Sequence, residues 1–81
     1  MEDLKEALTK NPIIGTERIL KSLKTGKLKK VFLASNCKEE TKKDVEYYAK
    51  LSNVEVVNLD IPNDEVGLVC KKQFSISILG Y

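Results

Sequence analysis

The run Val31-Phe32-Leu33-Ala34 constrains the fold of this chain more than any other stretch. Its four apolar residues do not alternate with polar ones. As a strand it presents apolar side chains on both faces, and both must be covered. Helix-like segments flank it on either side. The alternation of helical and extended patterns along the chain implies a mainly parallel or mixed sheet between helical layers. The expected fold class is therefore α/β: a three-layer α/β/α sandwich with a four-stranded mixed sheet and about four helices.

The remaining elements derive from local patterns. Asp3, with Glu6 three residues on, reads as a capping box that opens a first helix. Leu4, Ala7 and Leu8 form its apolar stripe, and Asn11-Pro12 stops it. Ile13-Ile14 is a short strand. Thr16 is the expected N-cap of a second helix, and Gly26 its C-terminal stop. On that helix Ile19, Leu20 and Leu23 share one face, with Glu17, Arg18, Lys21 and Lys24 opposite. A third helix is predicted over residues 39–52, with acids in its first turn and Val45, Tyr48, Ala49 and Ser52 on one face. Tyr47 and Tyr48 are read there as packing residues. Residues 54–59 form a third strand, and residues 64 to about 70 a short fourth helix after Pro62-Asn63. The alternation of Ser75/Ser77 with Ile76/Ile78 marks residues 74–79 as the last strand. At 81 residues the chain is expected to form one small domain.

The junction Gly15-Thr16-Glu17-Arg18-Ile19-Leu20-Lys21 suits recognition. A glycine permits close approach of another backbone. The helix N-terminus beyond it offers unpaired N–H groups and the positive end of its dipole, both suited to an anion such as phosphate. Arg18 is the only arginine among 14 basic residues. Its planar fork can grip a guanine edge or a phosphate with two hydrogen bonds, which lysine cannot do. An ordinary helix with a solvated charged face accounts for the same residues equally well.

Net charge is only +2, but its distribution is uneven. Seven basic residues and no acid lie from Arg18 through Lys38, while the acids sit mainly in residues 2–6, 39–46 and 60–65. A one-sided basic patch is the electrostatic footprint of a phosphate-backbone partner. Cys37 and Cys70 are far apart, and the chain has no histidine, so no metal site is expected. Both thiols are expected to be reduced and partly buried. No apolar run approaches the ~20 residues that span a bilayer. The amphipathic, acidic N-terminus does not read as a secretory leader, so a cytoplasmic location is expected.

Several tracts together resemble the kink-turn-binding ribosomal protein superfamily. They are Gly15 to Lys21, Leu23-Lys24-Thr25-Gly26-Lys27, Lys29 to Cys37, Asp44 to Ser52 and Glu65-Val66-Gly67. The likeness runs from about Ile13 to Leu79. The tract Glu46-Tyr47-Tyr48-Ala49 with Leu51-Ser52, and Asn36-Cys37 after the apolar strand, are most similar to its archaeal and eukaryotic large-subunit branch, protein thirty. The resemblance implies the same α/β/α sandwich. It also implies an RNA-binding end where three loops meet: the loop opening the second helix, that at Asn36-Cys37-Lys38, and that before the last strand. Gly15 matches the glycine that lets RNA approach, and Lys21 a basic position common across the superfamily. Glu17 and Arg18 stand where broad kink-turn binders have Asn and Glu; a basic residue at Arg18 fits the branch. Glu17 is open between accepting from guanine, holding Arg18 or Lys21, and complementing the helix dipole. Asn36 matches a branch asparagine, with contact to RNA and a local turn role both open. Lys38-Glu39 departs from the branch, which often has proline soon after that asparagine. Phe74 matches an aromatic that can stack on an extruded base, or else is the first core residue of the last strand. Lys71 replaces a usual glycine, so a different loop shape is expected there. Gly67 is expected to serve backbone packing.

The resemblance and the residues together lead to the expectation of an RNA-binding structural component of the large ribosomal subunit, recognising a kink-turn or asymmetric internal loop in rRNA. The implied contacts are Gly15, Thr16, Glu17, Arg18, Lys21, Asn36, Cys37, Lys38, Lys72 and Phe74. No metal or organic cofactor is expected, the partners are RNA and the ribosome rather than a membrane, and the free protein is expected to be a monomer. A stand-alone paralogue in another ribonucleoprotein, and a protein-interaction adaptor on the same fold, are the alternatives. Without histidine, a phosphate-cradling glycine loop or a nucleophile–base pair, the residues offer little to catalysis.

Overall fold

The computed structural model describes residues 2–81 and, from Leu4 onward, their side chains. The elements are α1 (Glu2–Leu8), β1 (Ile13–Ile14), α2 (Thr16–Lys24), β2 (Lys30–Leu33), α3 (Glu39–Ser52), β3 (Glu55–Asn58), α4 (Asn63–Val69) and β4 (Ile78–Gly80). The sheet order is β1-β4-β2-β3. The β2–β3 pair is parallel, and β4 runs antiparallel to both β1 and β2, so the sheet is mixed as expected.

β2 explains the layering. Val31 and Leu33 point into a cluster with Ile19 and Leu23 of α2 and Val45 and Ala49 of α3. Phe32, between them in sequence, points the other way, into a cluster with Leu4 and Ala7 of α1 and Val66 of α4. The strand period of two thus divides an unbroken apolar run between two cores. Val31, Phe32 and Leu33 are fully buried.

The helices end by recurring chemistry. Gly26, at φ 69°, comes directly after the C-cap Thr25 of α2. Its N–H bonds the Leu23 carbonyl, and the Lys27 N–H bonds the Ser22 carbonyl, a Schellman closure. Asn53 at φ 59° closes α3. Lys71 closes α4 at φ 59°, with its N–H on the Leu68 carbonyl and the Lys72 N–H on the Gly67 carbonyl. A lysine here adopts the left-handed turn that favours glycine. The Ser52 hydroxyl donates to the Leu23 carbonyl at 2.8 Å and ties α3 to the end of α2.

Several expected boundaries shift. α1 starts at Glu2, so Asp3 is already within the helix; its side chain lies outside the described residues, and the capping box with it. The N-cap of α2 is Gly15, not Thr16, which is the first helical residue. β4 starts at Ile78 rather than at residue 74. Ile76 and Ile78 are both buried but enter opposite cores, which a regular strand forbids for residues two apart. The backbone must turn between them, and regular pairing begins only after that turn. Tyr48 packs on the α2/α3 core, whereas Tyr47 is 62% exposed and does not pack there as expected.

Candidate nucleic-acid interface

The C-terminal end of β2 is where the expected loops meet. A cleft of about 340 Å³ is lined by Thr16 from the start of α2, by Asn36, Cys37 and Lys38 from the loop after β2, and by Thr41 of α3. Asn63 at the start of α4 and Ser77 before β4 complete its wall. The α2 junction is held there because the Gly15 N–H donates to the Ile78 carbonyl.

Both α2 and α3 open towards this cleft, and neither has a side-chain cap. Gly15 lies at φ 114°, a conformation that L side chains rarely adopt, and nothing lies within 4 Å of where its Cβ would be. Glycine is needed there for its backbone. Two helix N-termini with free N–H groups form a positive field at one spot. No carboxylate lines the cleft.

Asn36 is fastened across the fold. Its Oδ1 accepts the Asn63 backbone N–H at 2.9 Å, and its Nδ2 donates to Asn63 Oδ1 at 3.2 Å. Asn63 Nδ2 in turn donates to Ser77 Oγ at 3.3 Å. The local turn role open for Asn36 is replaced by a bond to a residue 27 positions away. Asn63 and Ser77 are site residues without a signal in the one-dimensional pattern. Pro62-Asn63 marks only a helix start, and Ser77 only the polar side of a strand alternation.

The other expected residues lie outside this cleft. Arg18 and Lys21 are exposed and share a shallow concavity of about 420 Å³ with Pro12, Ile13 and Ser22. Glu17 is exposed and forms no ion pair among the described residues. Lys72 and Phe74 line a third concavity of about 280 Å³ with Asp64, Leu68, Gln73 and Ser75. Phe74 is 57% exposed and precedes β4, so it is not a core residue. Gly67 supports that loop. A Cβ there would run into the Phe74 carbonyl oxygen, as its expected packing role requires.

The basic run does not form one patch. Arg18 and Lys21 lie on the first turns of α2, but Lys27 lies beyond its far end, a helix length of about 13 Å away. Lys29 and Lys30 bond through their N–H groups to the Tyr81 carbonyl at the opposite end of the sheet from Asn36. Lys30 also pairs with Glu55, its cross-strand neighbour, at 3.1 Å. Charges contiguous in sequence are therefore spread over both ends of the sandwich.

Cys37 and Cys70 are free and buried, one in each core. Burial pushes the Cys37 thiol above its ordinary range, against the opposing pull of Lys42 and the Lys38 backbone N–H. Burial raises Cys70 too, opposed by Lys72. At the cleft Cys37 supplies floor rather than charge. Among the described residues no group of histidine, cysteine or carboxylates could hold a metal ion, and no helix is long and apolar enough to cross a membrane.

Comparison with known proteins places this arrangement. The family model described as ribosomal protein L7Ae/L30e/S12e/Gadd45 family matches residues 1–81. Large ribosomal subunit protein eL30 of Methanothermobacter thermautotrophicus is 46% identical over 71 residues, covering 88% of this chain and 72% of that protein. The protein of the same name from Methanococcus vannielii is 38% identical over 71 residues, covering 88% and 68%. A solved structure of a Bacillus halodurans protein of unknown function is similar with a TM-score of 0.83 over 95% of this chain and 77% of that one. Its 20% sequence identity supports the α/β/α fold alone.

Proposed function

The chain belongs to the ribosomal protein L7Ae/L30e/S12e/Gadd45 family, and from that premise we propose that it is a non-catalytic, RNA-binding component of the large ribosomal subunit. Its relatives carry the name of a large-subunit protein, eL30. The finer proposal is recognition of a kink-turn or similar asymmetric internal loop in rRNA by a single domain in the cytoplasm. The observation that carries it is the meeting of the α2 opening, the loop after β2 and the segment before β4 around one cleft.

The chemistry suits a bent RNA. Proteins read RNA at bulges and internal loops, where base edges and backbone shape are exposed. The uncapped N-termini of α2 and α3 and the Lys38 ammonium favour phosphate. Arg18 and Lys21 flank the cleft on one side, where the guanidinium fork can reach a guanine edge. Phe74 stands exposed in a separate concavity, where stacking on an unpaired base is worth ~1–3 kcal/mol. Contacts of the first kind position the RNA, and those of the second read it.

The test is a titration of the protein into labelled kink-turn RNA, and into a copy whose sheared G·A pairs are replaced by Watson–Crick pairs, at one moderate salt concentration. Tight binding to the first alone is expected. Weak or equal binding to both overturns kink-turn recognition. Co-purification with ribosomes at low but not high salt is expected of a subunit component. Its absence assigns the protein to another ribonucleoprotein.

A further inference from the structure

The hydrogen-bond chain Asn36–Asn63–Ser77 has a fixed sense. A backbone N–H can only donate, so the Asn36 atom facing the Asn63 N–H is the oxygen. Asn36 Nδ2 is then a donor, and the Asn63 atom that meets it is Oδ1. Asn63 therefore turns its own Nδ2 to Ser77, whose Oγ accepts. The order of every link is set by one peptide N–H. Among the described residues, nothing takes the second Nδ2 hydrogen of Asn36 or the hydroxyl hydrogen of Ser77. Asn36 is exposed, and both residues line the cleft.

We propose that Asn63 is a positioning residue whose peptide N–H locks Asn36 as a hydrogen-bond donor towards the cleft, with the Asn63 amide and Ser77 continuing the chain, so that this wall selects an acceptor atom of the RNA. A free asparagine amide turns over and presents either its oxygen or its nitrogen. Here the turned state would set Nδ2 against the Asn63 peptide N–H, a clash of like polarity that no rotation of the Asn63 amide or the Ser77 hydroxyl relieves. The lock removes the acceptor face from recognition and the cost of ordering the side chain on binding. Guanine O6 and N7 and phosphate oxygens are acceptors, whereas an exocyclic amino group is refused. This inference rests on the RNA-binding function proposed above.

Two charge-matched variants separate polarity from charge. Asn36→Asp keeps an oxygen on the Asn63 N–H, so α4 stays tied, but the chain reverses and no donor faces the RNA. Asn63→Asp keeps an acceptor for Asn36 Nδ2, so Asn36 remains a donor, and Ser77 simply donates instead of accepting. Each adds one negative charge within the same cleft. Thermal melting checks that both fold, and binding to kink-turn RNA is read at one salt concentration. The expected result is a loss of about tenfold or more for Asn36→Asp and about threefold for Asn63→Asp. Asn63→Ala keeps the peptide N–H that sets the sense and removes only the side-chain partner of Asn36 Nδ2, so Asn36 remains a donor and binding should weaken by no more than about threefold. Equal losses for the two aspartates, or a loss in Asn63→Ala as large as that in Asn36→Asp, overturn the proposal. Failure of the wild-type protein to bind the RNA overturns the proposed function itself, a separate outcome. 7-Deazaguanosine in the G·A pairs distinguishes the acceptor: a loss confined to proteins with the lock identifies N7, and no change identifies O6 or a phosphate oxygen.

Discussion

Replacing Gly67 by alanine should destabilise the protein, although alanine is the better helix former. Gly67 is buried in α4, and its added Cβ would collide with the Phe74 carbonyl oxygen. The same Cβ would lie 3.1 Å from the Phe74 carbonyl carbon and 3.5 Å from Ser75 Cα. These are backbone atoms, so no side chain can rotate away. The loop must retreat by on the order of 1 Å to reach ordinary contact distance. Overpacking of this kind costs about 1–3 kcal/mol. The helix propensity gain returns at most about 1 kcal/mol. A clash this deep with fixed backbone atoms lies at the upper end of that range, about 2–3 kcal/mol, so the net expectation is a loss of about 1–2 kcal/mol, which for a chain of this size lowers the melting temperature by roughly 4–16 °C. Circular dichroism melts of the two proteins measure it. A melting temperature equal to or above wild type would refute the reasoning, because it would mean that the loop carrying Phe74 moves without cost. The same displacement shifts Phe74, so weaker RNA binding should accompany the stability loss.

Four further outcomes are expected. Ser52→Ala removes the bond to the Leu23 carbonyl and should cost about 0.5–1.5 kcal/mol in urea unfolding, with the m-value unchanged. Lys71→Gly relieves a left-handed residue at about 1–2 kcal/mol but loosens the unfolded chain by about 0.4–1 kcal/mol, so a small net stabilisation should appear in the same assay. Burial raises both thiols, so their stabilising contribution is fully present below the ordinary thiol value of 9.0 and is lost as pH rises above it through the folded-state values. Denaturation midpoints taken across that window should fall with pH, and less so in a Cys37→Ala, Cys70→Ala double variant. Arg18→Ala should weaken RNA binding by about 1–3 kcal/mol if its fork holds a base edge, whereas Lys27→Ala should act weakly and alike on all RNAs; small, equal effects in anisotropy titrations would exclude base reading by Arg18.

The layers of the fold are legible in the sequence because each rests on a short-range rule. Val31 to Ala34 needs cover on both sides, Ile19 and Leu23 recur at helical spacing, and residues 39–52 carry both a first-turn acid pair and an apolar stripe. The structure reproduces those bounds for α3. The start of β4 is not legible, because Ser75 to Ile78 alternates correctly while the backbone turns within it. The segment is instead held by tertiary bonds, with the Ile76 N–H donating to the Asn63 carbonyl and the Ser77 carbonyl accepting from the Ala34 N–H. The site is half legible. Gly15 and Asn36 stand out as a glycine before a helix and a polar residue ending a strand. Asn63 and Ser77 do not, because their part depends on partners 27 and 14 positions away. The basic run misleads for the opposite reason: neighbours in sequence are carried by α2 to opposite ends of the molecule.

The position of β4 also bears on how the protein comes to be folded as it is made. β4 lies inside the sheet and is the strand that both β1 and β2 pair with, yet it comes after them in the chain. Until residues 78–80 leave the ribosome, β1 has no neighbour and β2 has only β3. At about 5–20 residues per second, roughly 65 residues separate the synthesis of β1 from that of its partner, a wait of several seconds. The α2–α3 and β2–β3 contacts can form in that interval, but the sheet closes only when its central strand arrives. Sheet closure therefore waits for β4, and a nascent chain stalled before Ile78 should remain open to protease.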